Sequence, residues 1–203
     1  MELIYRFAKK KDINDLARIH YSSVKSDENN FEYRMGLSYL KAYYKLFIEE
    51  KYSVIICAED VENKRILGFA SGTLNYKYHF QYIKENRLKL FFSILIKILF
   101  DVSVIKMIFS RIRNRDEYDV NNPPVGHFTH WVWDNAEFYP GGSLILLKKW
   151  LSIMKLFTER VRFEVNQDNI QVVNIHKLLG AQLINEIDTN DRGVRLIMEY
   201  IFN

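Results

Sequence analysis

Histidines are the residues of this chain best suited to move protons. Three of the five, His127, His130 and His176, lie in segments that predict a strand and a helix beside a glycine-rich turn. An imidazole gains or loses a proton near neutral pH, so each could act as a general acid or a general base. Each could equally be a structural histidine, and both interpretations stay open. Glu164, on a later predicted strand, is a further candidate contributor.

The segment from His127 to Trp133 alternates as a β-strand does. On a strand, successive side chains point to opposite faces of the sheet. The alternation therefore predicts one face with His127, Thr129, Trp131 and Trp133, and an opposite face with Phe128, His130 and Val132. The two tryptophans on the first face predict a core or a pocket wall.

Two further segments surround these residues. After a loop, Gly141-Gly142-Ser143 leads into a predicted helix over Ser143–Phe157, and glycine there permits positive φ and close backbone approach. A strand over Val161–Val165 is followed by Asn169, a predicted N-cap, and by a helix that closes at Gly180.

This succession resembles the GNAT superfamily of acyl-CoA-dependent N-acyltransferases. In that family the second block runs strand, Asn, two residues, a small residue, and then Tyr four residues before Gly-Phe. Here the corresponding residues are Asn169, Val172, His176 and Gly180-Ala181. The resemblance covers nearly the whole chain except an insert at about 80–120.

The resemblance implies a fold, a cofactor and site residues. The fold is α/β (α+β), a single domain over residues 1–203 with a mixed central sheet, flanking helices and splayed central strands. Acetyl-CoA or another acyl-CoA is the implied co-substrate, without a metal. The residues implied to bind it are Trp133, Phe138, Gly141, Gly142, Ser143 and Asn169. Gly141 to Ser143 hold the pyrophosphate, although Phe138 replaces the family's Arg or Gln and Pro140 removes an amide donor.

The implied activity is transfer of an acetyl or other acyl group to a primary amine of a small molecule or peptide. His176 stands at the position of the family's tyrosine and would protonate the leaving thiolate, while His127 or His130 would accept a proton from the amine. Two alternatives remain: a donor with a long acyl chain on coenzyme A or a carrier protein, and an inactive GNAT-like module that binds a ligand or a membrane surface.

The remaining elements follow from periodicity and turn residues. They are a strand at Leu3–Ala8, a helix from Asp12 to about Ser22, a helix over 31–50, a hairpin of Ser53–Glu59 with Arg65–Leu74, and strands at Ala181–Glu186 and Val194–Ile201.

Positive charge is concentrated in one segment. The chain carries +4, but residues 87–115 hold seven basic residues against Asp101 alone, a charge of +6, so the remainder nets −2. Nucleic acid is therefore not an expected partner. The insert is too charged to span a membrane. It predicts an extra helical layer, an amphipathic helix on anionic lipid, or a groove for a second protomer or an acyl chain.

The single cysteine, Cys57, lies in an apolar run and is predicted to be a buried thiol rather than a nucleophile. The N-terminal residues show no signal-peptide pattern, so a cytoplasmic location is expected.

Overall fold

A computed structural model describes residues 2–25, 30–100, 125–134, 136, 139–189 and 193–202. The strands are β1 (Leu3–Phe7), β2 (Ser53–Asp60), β3 (Arg65–Thr73), β4 (Gly126–Trp133), β5 (Arg160–Asn166), β6 (Gln182–Thr189) and β7 (Gly193–Ile201). The helices are α1 (Ile13–Ser23), α2 (Phe31–Met35), α3 (Leu37–Glu49), α4 (Tyr76–Glu85), α5 (Arg87–Phe100), α6 (Gly142–Lys155) and α7 (Ile170–Leu178).

All seven strands form one sheet in the order β1-β2-β3-β4-β5-β7-β6. Every neighbouring pair is antiparallel except β4 with β5, which run parallel. The mixed sheet, the β2–β3 hairpin and the order of the strands along the chain are as the sequence predicts.

Helices cover both faces of the sheet. On one face α6 packs through Trp150 and Leu147 against a cluster that includes Phe128 and Phe163. On the other face α1 and α3 pack through residues such as Tyr44 against Phe69. Burial of each such large apolar side chain contributes about 1.5–3 kcal/mol to stability, so these two layers hold the strands between them in place. Cys57 is buried in the α1–α3 layer, as predicted, and burial raises the pKa of its thiol.

The strands β4 and β5 separate soon after they meet. Two backbone pairs join them, Gly126 with Val161 and His127 with Arg162. Beyond His127 no further ladder pair links these strands among the described residues, so a gap opens toward the carboxyl end of β4. This confirms the predicted splay of the central strands.

The predicted helix over 31–50 is wrong in one respect, because it is two helices. Gly36 lies between α2 and α3 with φ 85°, a conformation that L-residues with a Cβ rarely adopt. The sequence prediction also missed α4, which begins after Asn75, whose side chain accepts a hydrogen bond from the Tyr78 amide at 3.0 Å. Asparagine is a preferred N-cap residue, so the start of α4 could have been predicted from the sequence.

A bulge in β4 overturns the predicted alternation. Ser71 pairs with His130 but Gly72 pairs with Phe128, so β4 carries one residue more than β3 at this point. Phe128 therefore shares the α6 face with Trp131, and it does not share a face with His130 and Val132 as predicted. An extra residue shifts the two-residue period by one.

The described part of the insert, residues 76–100, comprises α4 and α5, and residues 101–124 lie outside the described residues. Within the described ranges no helix combines the length and the apolar character needed to cross a bilayer.

Candidate active site

The N-terminus of α6 is built for close approach. Gly141 has φ 74°, in the left-handed region, and a Cβ there would meet no atom within 4 Å. Gly142 is buried, and a Cβ on it would lie 2.7 Å from Trp133 and 2.8 Å from Tyr139. Only glycine fits at this point of the turn, because the Trp133 ring lies against the backbone of residue 142.

Two side chains attach this helix end to the sheet. The indole Nε1 of Trp131 donates to the Ser143 carbonyl at 3.0 Å, and the Tyr5 hydroxyl donates to the Gly142 carbonyl at 3.3 Å. Trp131 lies on β4 past its last pair with β5. The start of α6 is therefore held beside the open part of the gap.

The same helix end presents partial positive charge. The first i→i−4 bond of α6 runs from the Ile145 amide to the Gly141 carbonyl, so the amides of Ser143 and Leu144 precede the helical ladder. The first turn contains no acidic residue. A 14-residue helix that begins in this way favours an anion at its N-terminus.

Thr129 lies on β4 beyond its last pair with β5. It lies at the bulge of β4, and its Oγ1 is buried without a hydrogen-bond partner in the part of the chain that the structure describes. A buried hydroxyl without a partner costs free energy unless a ligand or water satisfies it. Polar groups of β4 are thus available where the two strands have separated.

His176 lies on α7 inside a cage of aromatic rings. It is 1% exposed, and its ring centroid lies 4.4 Å from Phe163, 5.7 Å from Phe128 and 5.8 Å from Trp131. Phe163 belongs to β5 and the other two rings to β4. His176 therefore bridges the two separated strands from the α6–α7 side.

The partner of His176 is Tyr200 of β7, whose hydroxyl lies 2.6 Å from His176 Nδ1. Burial lowers the pKa of His176 to about 4 and raises the pKa of Tyr200. Both side chains are therefore neutral at pH 7, and one hydrogen bond joins them.

His130 lies on the opposite face, beside α1 and α3. Its Nδ1 is 3.3 Å from the Ser71 hydroxyl, and its ring centroid is 4.5 Å from that of His20. The rings of Tyr43 and Tyr44 stand 5.9 Å and 6.2 Å from it. These residues form a second cluster, the α1–α3 histidine cluster, which consists of His20, Tyr43, Tyr44, Ser71 and His130.

His20 is the most buried histidine of that cluster. It is 4% exposed, and its Nδ1 lies 2.7 Å from the Tyr44 hydroxyl. Burial lowers the pKa of His20 to about 4, although the carboxylate of Glu32 on α2 opposes this shift. Burial also raises the pKa of Tyr44, again with Glu32 among the causes. Glu32 is thus an acidic group close enough to act on both side chains.

His127 lies where β4 still pairs with β5, packed against Tyr76 with centroids 4.6 Å apart. Burial lowers its pKa to about 4, and Glu164 opposes that shift. Glu164 itself forms an ion pair with Arg195 at 3.5 Å. The structure therefore places His127 before the gap opens and His130 beyond that point.

The other predicted binding residues have varied positions. Trp133 packs across Gly68 and Gly142. Asn169 is the predicted N-cap of α7, and its side chain accepts from the Val172 amide at 3.4 Å. Phe138 lies outside the described residues. No group of three or more His, Cys, Asp or Glu side chains in the described ranges could hold a metal ion.

Sequence reasoning missed five residues that lie around His130 and His176: His20, Tyr43, Tyr44, Ser71 and Tyr200. One signal was present. His20 occurs on the apolar stripe of α1 that contains Leu16 and Ala17, where a polar residue must find a buried partner. The identity of that partner could not be read from the chain, because Tyr44 belongs to another helix.

Comparison with known proteins identifies the fold. Neither a protein-family profile nor a curated protein sequence matches this chain. Solved structures do match. An N-acetyltransferase from Staphylococcus aureus shares 13% identity over 100% of both chains with a TM-score of 0.63.

Two further structures are similar. A GNAT superfamily phosphinothricin acetyltransferase from Sinorhizobium meliloti, in complex with acetyl-CoA, is 11% identical over 100% of this chain and 90% of that one, with a TM-score of 0.63. A spermidine N-acetyltransferase chimera from Vibrio cholerae and hSSAT is 13% identical over 99% and 96%, with a TM-score of 0.61. The chain has the GNAT fold, as its sequence predicts.

Proposed function

We propose that this protein is an N-acyltransferase that moves an acetyl or other acyl group from coenzyme A to a primary amine of a small molecule or peptide. One observation carries the proposal: the Trp131 indole holds the N-terminus of α6 beside the gap between β4 and β5. A site for a pyrophosphate and a slot for an extended arm are thereby adjacent. The shared fold with acetyltransferases, one of them in complex with acetyl-CoA, supports the same assignment.

The donor side consists mainly of backbone. The amides of Ser143 and Leu144 would bind the pyrophosphate, with Gly141 and Gly142 allowing close approach. The unpaired part of β4 would bind the amides of the pantetheine arm, and Thr129 Oγ1 is a hydroxyl that needs such a partner. Acyl-CoA supplies the activated acyl group as a thioester. Asn169 and Trp133 remain predicted contacts of the cofactor.

The acceptor side is the α1–α3 histidine cluster. His130 would accept a proton from the ammonium form of the substrate, directly or through a water, and the neutral amine would then attack the thioester carbon without a covalent enzyme intermediate. His20, 4.5 Å away between centroids and held by Tyr44, would fix the orientation of the His130 ring. His127 is the alternative base.

His176 is the predicted proton donor to the leaving thiolate. It reaches both β4 and β5, but burial leaves its ring neutral at pH 7, so it would stabilise the thiolate as a hydrogen-bond donor, and the proton that the sulfur finally takes would come from solvent. This role demands less than that of the base. An alkyl ammonium has a pKa near 10.4 and must lose its proton, whereas a thiol has a pKa near 8.5 and leaves readily as the anion.

The test is calorimetric titration with acetyl-CoA and then with a long-chain acyl-CoA. We expect micromolar binding of acetyl-CoA, and a turnover screen over an amine panel that includes spermidine would follow. A clear preference for the long chain would instead assign a long-chain donor. Absence of binding by either would favour carrier-borne donors or a catalytically inactive module.

A matched pair of α6 variants locates the donor site. In Gly142→Val even the Cβ would lie 2.7 Å from Trp133, and the two methyl groups add to this clash. The variant should therefore displace the helix end and weaken acetyl-CoA binding at least tenfold. Ser152→Ala, an exposed position at the far end of the same helix, is the control and should bind as wild type. Equal binding by both variants would place the cofactor elsewhere.

A further inference from the structure

Over residues 87–95 the helix α5 has two apolar faces, one covered and one exposed. Leu90 and Ile94 are 8% and 5% exposed and lie on the face toward α3, where Ile94 packs with Met35. The second face is exposed, with accessible fractions of 62% for Leu88, 44% for Phe91, 67% for Phe92 and 38% for Leu95. We call these four residues the α5 stripe.

The spacing of the α5 stripe makes it one continuous surface. Positions i, i+3, i+4 and i+7 lie on the same side of a helix across two turns. Single exposed apolar residues are ordinary on a protein surface, but a contiguous apolar stripe marks an interaction site. The exposed apolar residues of α7, Ile170 and Leu178, lie more than two turns apart and form no comparable stripe.

The surroundings of the α5 stripe are basic. The described α4–α5 hairpin, residues 76–100, contains Glu85 as its single acid against five basic residues, a net charge of +4; the five are Lys77, Lys84, Arg87, Lys89 and Lys97. Arg87 and Lys89 are exposed and adjoin the stripe on the helix surface. Large apolar side chains between exposed cations are typical of a helix that lies in the plane of a membrane interface.

We propose that α5 docks on the surface of an anionic bilayer, with the α5 stripe entering the headgroup boundary and the neighbouring Arg and Lys side chains contacting acidic headgroups. The attraction between the positive hairpin and a negative surface acts together with burial of the stripe. A second copy of the chain is a poorer occupant, since a two-fold contact would bring two surfaces of charge +4 together.

This inference is independent of the acyltransferase assignment, because it rests on no residue of the candidate active site. It does have a geometric consequence. The covered face of α5 packs on the cluster of Met35 with Phe31 and Tyr39, next to the helices that carry the α1–α3 histidine cluster. Docking would bring the predicted acceptor side close to the bilayer.

The test is sedimentation of the full chain with vesicles of phosphatidylcholine alone and of phosphatidylcholine with phosphatidylglycerol. We expect binding to the anionic vesicles that weakens with added salt, and little binding to the neutral ones. The double variant Phe91→Ser/Phe92→Ser should reduce binding to anionic vesicles roughly tenfold or more. Arg87→Gln/Lys89→Gln should reduce it by about tenfold as well.

The control is Ile170→Ser/Leu178→Ser, which removes an equal number of exposed apolar side chains from α7 and should bind vesicles as wild type. Circular dichroism of each variant checks that it is folded. Equal sedimentation with both vesicle types, or wild-type binding by the Phe91→Ser/Phe92→Ser variant, would overturn the proposal. A third outcome would also overturn it: no vesicle binding, together with a concentration-dependent dimer in light scattering that Phe91→Ser/Phe92→Ser abolishes. A second copy of the chain would then occupy the α5 stripe.

Discussion

Among the described residues, two buried histidine–tyrosine pairs lie one on each face of the sheet. In each pair the histidine Nδ1 lies within 2.7 Å of a tyrosine hydroxyl: His20 with Tyr44 on the α1–α3 face, and His176 with Tyr200 on the α7 face. Burial lowers the pKa of each histidine to about 4. As isolated pairs they are nearly equivalent.

Their neighbours distinguish them. The His176 ring is enclosed by aromatic side chains, and burial is the only cause of its lowered pKa. His20 contacts another imidazole, His130, which in turn meets the Ser71 hydroxyl, and the carboxylate of Glu32 acts on His20. A chain of polar groups can take up a charge, whereas an aromatic cage disfavours one. We therefore assign the more demanding proton transfer to the α1–α3 face.

The largest effect is expected for His130→Gln. Loss of a general base typically lowers kcat by 10²–10⁴-fold, and we expect about 10²-fold with the affinity for acetyl-CoA unchanged. Activity of the variant should recover as the pH rises, because the amine then loses its proton without help. The measurement is kcat against pH together with calorimetry. Wild-type turnover in this variant would remove the α1–α3 histidine cluster from the mechanism.

A smaller effect is expected for His176→Phe. The thiolate needs little help to leave, so kcat should fall only about tenfold. The variant keeps the aromatic cage but leaves the Tyr200 hydroxyl without its partner at 2.6 Å, which should cost about 1–3 kcal/mol of stability. Steady-state kinetics and urea denaturation measure the two effects separately. A fall in kcat larger than that of His130→Gln would reverse the ranking of the two faces, and turnover that survives loss of both histidines would end the mechanistic assignment.

The smallest effect is a dependence of stability on pH. A histidine with a pKa near 4 in the folded chain and about 6.5 in the unfolded chain binds fewer protons when folded, so stability falls as the pH drops from 6.5 toward 4. Between pH 7 and pH 5 the loss is on the order of 2 kcal/mol for each of His20 and His176.

Urea denaturation at the two pH values tests this pH dependence. The single variants His20→Phe and His176→Phe should each show a smaller fall in the free energy of unfolding between pH 7 and pH 5 than wild type. This holds whatever stability each substitution removes at pH 7. If His176→Phe leaves the pH dependence unchanged, the aromatic cage does not hold a neutral histidine. The difference between the two faces would then need another explanation.

Much of the fold could be predicted because its signals are local. The β-branched residues of 53–59 and the polar turn at 60–64 identified the β2–β3 hairpin, and Asn169 and Gly180 delimited α7 at both ends. The candidate site was predictable in part. The resemblance to the GNAT family named the Gly141–Ser143 turn and strand alternation named His130 as candidates, whereas His20 and Tyr44 were not named, because their contact joins two helices and residues 24 positions apart in the chain.

The sequence by itself determined the order of the strands, most of the helices and the residues available for chemistry, since periodicity, caps and turn residues act over a few positions. Only the tertiary structure decided which face each histidine occupies. The bulge opposite Ser71 and Gly72 moves Phe128 to the α6 face and leaves His130 with α1 and α3. One extra residue in β4 inverts the faces of the residues before it, His127 and Phe128, relative to the rest of the strand. No local pattern records it, because a bulge is stabilised by the pairing of two strands that are distant in the chain.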